Sequence, residues 1–399
     1  MAGSLREDPS LTALRVFAAL WVMVCHAWVE AVPRLMLVPL GFTDLDITSA
    51  FSMGWIGVDI FFSLSAFLLA LPFVSAARDG RPKPRLRDYF QRRFLRILPA
   101  YYVQLALVLA FVWFVENRLA ITPSAIAAHA ALWLNIGSQP VAPLVGVWWT
   151  LPIEFGYYLL LPFLVPLLTP KRCLWLLLGA IGITLAYRYG MFQHAVAQGY
   201  SVGEKVLLLE QLPGRIDQFV LGSIAAVWIA HQPDYGRNLD AGRARSLTIV
   251  GVAVVVLMMA LLHWNVMTYW EGNALLFCFH LIVSLGVTAF IIGACSDQHP
   301  DLRMLRLRPF VFLGTISYSV YLWHQLIIQW LGKQDWIFVP TPYILPTLLL
   351  VGVPMTLIAA WLSWRIIEQP CLAWGRSAFG KANSGSRTAK ALPAGQVDA

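Results

Sequence analysis

The chain is built around apolar runs of about 20 residues, the length a helix needs to cross a ~30 Å hydrocarbon core. Ten can be placed, near residues 11–30, 54–74, 96–115, 148–168, 173–189, 214–231, 246–263, 273–294, 310–331 and 344–366. In lipid, every backbone polar group must be satisfied within the structure, so separate runs of this length are read as helices. Charged residues make up 13% of the chain, about half the usual share in a soluble domain. No strand-period alternation and no internal repeat emerges. The expected fold class is therefore all-α, a polytopic membrane protein with about ten transmembrane helices. Residues 124–136 are apolar but too short to span, and are read as an interfacial or re-entrant helix.

Orientation follows from Lys and Arg, which concentrate on the cytoplasmic side of membrane proteins. With the N-terminus inside, the inner segments hold 21 basic residues and the outer segments 5, Arg188 among the latter. Both termini are then cytoplasmic. The same pattern explains the net charge of +8 without a nucleic-acid partner. The domain reading is a short cytoplasmic N-terminus (1–10), a transmembrane domain (11–372) and a disordered cytoplasmic tail (373–399), with no soluble catalytic domain at either end. The first apolar run is too long for a signal peptide, holds two ionisable residues and precedes no clear cleavage site. Five scattered cysteines show no paired spacing, so neither a disulfide framework nor a metal site is suggested.

Ionisable residues inside spans are expensive and mark functional sites by default. Arg15 and His26 in the first span are eleven residues apart, within ~20° of one helix face and about 16 Å along the axis. Asp59, near the outer end of the second span, calls for a cation or imidazole partner. Arg92, Arg93 and Arg96 enter the third span together, where a phosphorylated cytoplasmic cofactor would meet them first, since Arg binds phosphate through a planar fork. Glu154 opens the fourth span. Counted from Trp148 it lies about 9 Å in, at a depth similar to that of His26. Arg215 and Asp217 open the sixth span. Tyr318, Tyr321 and His324 lie in the ninth, the last two at i, i+3. In the eighth span His280 has no obvious partner and is read as structural. At the end of the tenth, Arg365 and Glu368 are read as an ion pair.

Together these stretches resemble the bacterial membrane acyltransferase-3 family, which O-acetylates surface polysaccharides, lipopolysaccharide and related glycans. The resemblance rests on Arg15-x10-His26 and on Gly54-x-x-Gly57-Val58-Asp59-x-Phe61-Phe62-x-x-Ser65. It extends through Arg93-x-x-Arg96-Ile97-x-Pro99-x-Tyr101, Trp149 to Glu154, Ser317-Tyr318-x-x-Tyr321-x-x-His324 and Glu368-x-Pro370. Ala66 stands where the family usually has Gly. The match covers residues 8–372, and six motifs in the right order are specific where each alone is not.

The resemblance implies an O-acetyltransferase of the bacterial inner membrane. It would carry an acetyl group from acetyl-CoA, or another acyl-CoA, to a glycan or glycolipid hydroxyl. The acyl-CoA is a co-substrate, with no permanently bound cofactor and no metal. His26 is the expected catalytic base, with Glu154 or Asp59 orienting it or binding the sugar. Arg15, Arg93 and Arg96 are expected at the CoA phosphates, and Asp59, Arg215, Tyr318, Tyr321 and His324 at the substrate. Polysaccharide-assembly proteins are candidate partners. The competing class is a transporter or flippase for an acyl group or lipid-linked sugar. Transporters often show paired repeats with broken helices, and no such repeat emerges here.

Overall fold

The computed structural model describes residues 8–31, 35–41, 43–114, 121–334, 341–375 and 377. All ten expected spans fall on helices. Among the described residues, eight helices are long and apolar enough to cross a membrane, or nine if the bent pair Arg308–Thr315 and Ser317–Gly332, which meet at 70°, counts as one span. The expected N-terminal segment up to residue 7 and most of the expected tail lie outside the described residues. The last helix continues to Gly375, past the expected boundary at 372.

The first helix, α1 (Pro9–Glu30), starts where the Asp8 carboxylate accepts from the Ser10 and Leu11 amides, supplying partners for two otherwise unbonded donors. A small antiparallel hairpin follows, β1 (Leu37–Pro39) and β2 (Asp44–Asp46), pairing Leu37 with Asp46. At three residues per strand it is too short to leave an alternation in the sequence.

Next come α2 (Gly57–Arg78) and α3 (Leu86–Phe114). The basic run from Arg87 to Arg96 is thus already helical and forms the first turns of α3. The apolar 124–136 stretch contains a single short helix, α4 (Pro123–Ala130), capped by the Thr122 hydroxyl. The remaining helices of eight or more residues are α5 (Thr150–Leu164), α6 (Cys173–Ala197), α7 (Val202–Leu209), α8 (Ile216–Ala230), α9 (Ala241–Trp264), α10 (Leu275–Ala294), α11 (Arg308–Thr315), α12 (Ser317–Gly332) and α13 (Thr341–Ser363).

Burial separates a centre from a periphery. The central helices are α2 and α8. In α2, 17 of 22 residues are buried; in α6, by contrast, only Ala180, Thr184, Arg188, Phe192 and Ala195 are. The two central helices touch through small residues. A Cβ added at Gly222 of α8 would overlap the Ser63 carbonyl oxygen and come within 3.0 Å of the Ala66 methyl. Backbone approach of this kind is how membrane helices gain packing without a hydrophobic driving force.

The sixth expected span, α8, is a helix of only 15 residues, about 22 Å long and shorter than a free-standing span requires. A 3-10 turn, Leu212–Arg215, precedes it. Irregular backbone at membrane depth is tolerated where protein encloses it. Gly214 and Arg215 in that turn are both buried.

The contact at Gly222 yields a direct expectation. Gly222→Leu should wedge α8 off α2 and lower stability by about 1–3 kcal/mol, the usual cost of overpacking. Thermal unfolding of the detergent-solubilised protein measures this, with a peripheral change such as Val252→Leu as the control.

Candidate active site

Two charged systems lie inside the bundle, and they differ in whether their charges balance. The first is an ion-pair network where α2, α6, α8 and α10 meet. The Asp59 Oδ1 atom accepts from Arg215 Nη1 at 2.8 Å, from His280 Nδ1 at 2.8 Å and from the Gln218 side-chain amide. Arg215 also pairs with Glu210. Glu210 meets Arg188 at 3.3 Å and His280 Nε2 at 3.5 Å. Arg188 is further held by the Leu276 carbonyl at 2.8 Å. All of these side chains are at most 6% exposed. Two guanidiniums face two carboxylates, so the network closes on itself electrically.

Asp59 thus finds both the cation and the imidazole it calls for. His280 is not partnerless, because packing of α10 on α2 supplies Asp59 from 221 residues away in sequence. Two members escape a reading of the sequence. Arg188 is not an outer-loop residue, since α6 runs on to Ala197 and buries it. Glu210 sits in the linker between α7 and the turn before α8. One signal is present for Arg188: Ala180, Thr184, Arg188 and Phe192 recur every four residues, and they mark the buried stripe of an otherwise lipid-facing helix.

The second system is a recess between α1, α2, α3, α5 and α12. Arg15, Arg93, Arg96, Ser65, Glu154, Tyr158, Tyr318 and Tyr321 line it. Ser65 Oγ donates to Glu154 Oε1 at 2.8 Å, and the Tyr158 hydroxyl donates to the same oxygen. The Tyr318 hydroxyl donates to the Ile97 carbonyl at 2.9 Å. Arg92, one residue before Arg93, points outward and is exposed. Three guanidiniums meet one carboxylate in the lining. Among the described residues none of the three forms a hydrogen bond or an ion pair, and Arg93 Nε is buried with no partner. All three are half-buried, and a partly desolvated cation without a partner is costly, so the recess is electrostatically incomplete and favours an anion.

The structure brings Glu154 to this recess and not to His26. The first turns ahead of α5 are themselves buried, Val147 at 2% and Trp148 at 0% exposure. The Val147 amide also bonds the Gln325 side chain, next to His324, so a count from Trp148 already starts level with that histidine and Glu154 lies further along α5. What meets His26 is His324. The two rings are 5.0 Å apart, with His324 Nε2 3.3 Å from His26 Nδ1.

The tautomers follow from the carbonyls around them. His324 Nδ1 lies 2.7 Å from the Tyr321 carbonyl. A carbonyl only accepts, so this nitrogen carries the proton and Nε2 of a neutral ring is an acceptor. His26 Nδ1 lies 2.9 Å from the Val22 carbonyl and donates by the same logic, toward Val22 and His324 together. Its Nε2 then holds a free lone pair. Tyr321 joins the two places: it lines the recess, its ring centroid is 5.6 Å from that of His324, and its hydroxyl reaches Thr150 at 3.1 Å and the Val147 carbonyl at 3.2 Å.

Arg365 and Glu368 do not pair. The last span ends in a π-helical turn, Trp364–Glu368, whose wider step removes the i, i+3 alignment of an α-helix. Arg365 instead bonds Gln369 at 2.6 Å, and Glu368 is buried as the acceptor of the Ser319 hydroxyl.

The balanced network and the open recess respond differently to loss of an arginine. Arg188→Ala leaves Glu210 short of a partner in the protein interior and should cost about 3–5 kcal/mol of stability. Arg93→Ala removes an unpaired charge and should leave thermal stability unchanged or raise it. Unfolding midpoints of the two purified variants test this contrast.

Comparison with known proteins bears on the whole bundle. An acyltransferase-domain family model matches residues 8–365. The chain is 25% identical over 393 residues to the O-acetyltransferase OatA of Staphylococcus aureus, covering 94% of this chain and 58% of the relative. It is 24% identical over 397 residues to the peptidoglycan O-acetyltransferase OatA of Listeria monocytogenes, covering 91% and 55%. A viral protein, ORF330 of Acidianus two-tailed virus, is 27% identical over 329 residues, covering 82% and 84%. No solved structure matches. The chain thus spans a little over half the length of the two OatA proteins. The ordered motifs, the helical bundle that gathers them and a family match over nearly the full length agree that the chain belongs to the acyltransferase-3 family.

Proposed function

We propose that this chain is a multi-pass inner-membrane O-acetyltransferase that moves an acetyl group from cytoplasmic acetyl-CoA to a hydroxyl of a surface polysaccharide, lipopolysaccharide or related glycan. The observation that carries this reading is the recess, where Arg15, Arg93 and Arg96 converge with one carboxylate and no bonded partner of their own. Guanidiniums in this state suit the phosphates of an acyl-CoA, because a charged acceptor forms the strong, forked hydrogen bonds they lack.

Arg15 and His26 share one helix, with about 16 Å of rise between them. An acyl-pantetheine arm anchored by its phosphates at Arg15 would run along α1 toward His26. There Nε2 accepts the acceptor hydroxyl's proton, the oxygen forms its bond to the thioester carbonyl carbon, and the carbon–sulfur bond breaks. The departing thiolate takes up a proton as free CoA. His324, hydrogen-bonded to the far side of the His26 ring, keeps the reactive nitrogen unprotonated. Tyr321, between recess and histidines, is placed to contact the acyl group. Asp59 and Arg215 neutralise each other, so their part in binding substrate is to shape the surrounding walls.

Release of free CoA from acetyl-CoA, with and without a glycan acceptor, tests this reading. His26→Ala should lower turnover about 10²–10⁴-fold, the usual worth of a positioned general base, without changing the unfolding temperature. Full turnover in a folded His26→Ala protein overturns the assignment. Arg93→Ala should raise the KM for acetyl-CoA about 10- to 100-fold, matching the ~1.5–3 kcal/mol of a charged hydrogen bond, with a smaller effect on the acceptor's KM. Substrate crossing a vesicle membrane with no CoA released would favour a transporter instead.

A further inference from the structure

A second cavity, of about 400 Å³, lies on the opposite side of α5 from the arginine recess. Its size falls in the range of small-molecule sites. Leu151, Glu154 and Tyr158 of α5 face the recess, while Pro152, Ile153 and Gly156 face this cavity. Tyr187 and Met191 of α6 form the facing wall, and Asn135 to Ser138 and Gln211 to Pro213 close the rest. We propose that it is a binding subsite for an uncharged glycan. This rests on the acetyl acceptor being a glycan, as argued above.

Three observations select that ligand class. No lining residue carries a charge, although Glu210 is adjacent in sequence; its carboxylate is turned away to Arg188 and Arg215. An anionic or cationic ligand therefore finds no counter-charge. The cavity is nevertheless not a plain lipid groove. Asn135 is 1% exposed, its Nδ2 reaches the Glu210 carbonyl at 3.5 Å, and its Oδ1 has no partner. A buried acceptor left unbonded is destabilising, and a ligand hydroxyl or amide N–H would satisfy it.

The loop at Gly137 is also held in advance of binding. The Gln211 side chain clips Gly137 at both ends, accepting from its amide at 3.0 Å and donating to its carbonyl at 2.8 Å. Gly137 takes a left-handed φ of 84°, which suits glycine there. The Tyr187 ring, Ile153 and Met191 offer apolar surface to the C–H faces of a pyranose. The cavity surface is mainly apolar, with Asn135 Oδ1 and the Ser138 hydroxyl as its polar points, a pattern that suits the C–H faces and one or two hydroxyls of a sugar ring.

The cavity lies close to the helix that carries the histidine pair's second member. With the N-terminus inside, this cavity opens outward. The turn Gly146–Trp149, just before the cavity-lining Pro152, meets α12, where the Gln325 side chain accepts from the Val147 amide at 2.6 Å, one residue from His324.

The test uses the full chain in nanodiscs without acyl-CoA, with chitotriose and maltotriose as probes in saturation-transfer NMR and calorimetry. Wild type should bind at least one. Met191→Trp fills the cavity, and Ser138→Trp blocks its mouth from an exposed loop position where folding is safe. Each should weaken binding at least tenfold and leave the KM for acetyl-CoA unchanged. Binding unaltered in both variants, no binding to wild type, or a co-purifying lipid chain displaced by Met191→Trp overturns the proposal. The two readings fail separately: saccharide binding lost in the variants with no CoA release by wild type leaves this subsite standing and removes the enzymatic reading. Acetyl transfer to a small alcohol without saccharide binding does the reverse.

Discussion

The buried bridge from Asp59 through Arg215 and Glu210 to Arg188 decides how the central helices can be arranged. Each of these groups alone in a low-dielectric interior would cost several kcal/mol. Only an arrangement that brings all four together makes burial tolerable. The requirement fixes the rotation of α2, which must present Asp59, and of α6, which must present Arg188. It also explains how a helix as short as α8 holds its place. The irregular turn before it carries Arg215 into the middle of the network, and Gly222 seats its later turns against Ser63. Ionic pairing sets the register, and small-residue packing then closes the contact.

The recess is a second solution to the same electrostatic problem. The network spends its charges on one another and is complete without a ligand. The recess gathers Arg15, Arg93 and Arg96 from two helices and leaves them open. Such a site is stable only because its guanidiniums are partly reached by solvent and Glu154 offsets one charge. The contrast separates groups that hold the fold from groups free to act. It moves Asp59, Arg215 and His280 toward the first class, and leaves Arg15, Arg93 and Arg96 in the second.

Much of this was legible in the sequence, because the bilayer limits what long apolar runs can become. The helical character of all ten runs and the costly residues inside them can be read directly. The pairing of those residues cannot. Asp59 and His280 are 221 positions apart, and nothing local announces that α2 and α10 meet. Depth was legible only where a helix starts at the membrane surface. For α5 the count from Trp148 fails, because the preceding turn is already bonded to Gln325, beside His324, so it pairs Glu154 with the wrong neighbour. Arg188 was misread because a cation near the end of an apolar run looks the same whether the helix stops there or continues. The Arg365–Glu368 pairing failed because one π-turn changes which residues share a face.

The uncompensated guanidiniums have one more consequence, set by the membrane potential. With the cytoplasmic side negative, an anion leaving the cytoplasm for the recess moves toward the positive side. A full crossing is worth about 2.3 kcal/mol per unit charge at 100 mV, and a site part of the way across gains the matching fraction. On the orientation expected from Lys and Arg and the proposed anion site, loading of a multiply charged anion at Arg15, Arg93 and Arg96 would be favoured by an energised membrane, and its departure back to the cytoplasm opposed by the same field. A collapse of the potential would weaken the hold of this recess without altering a single contact in it.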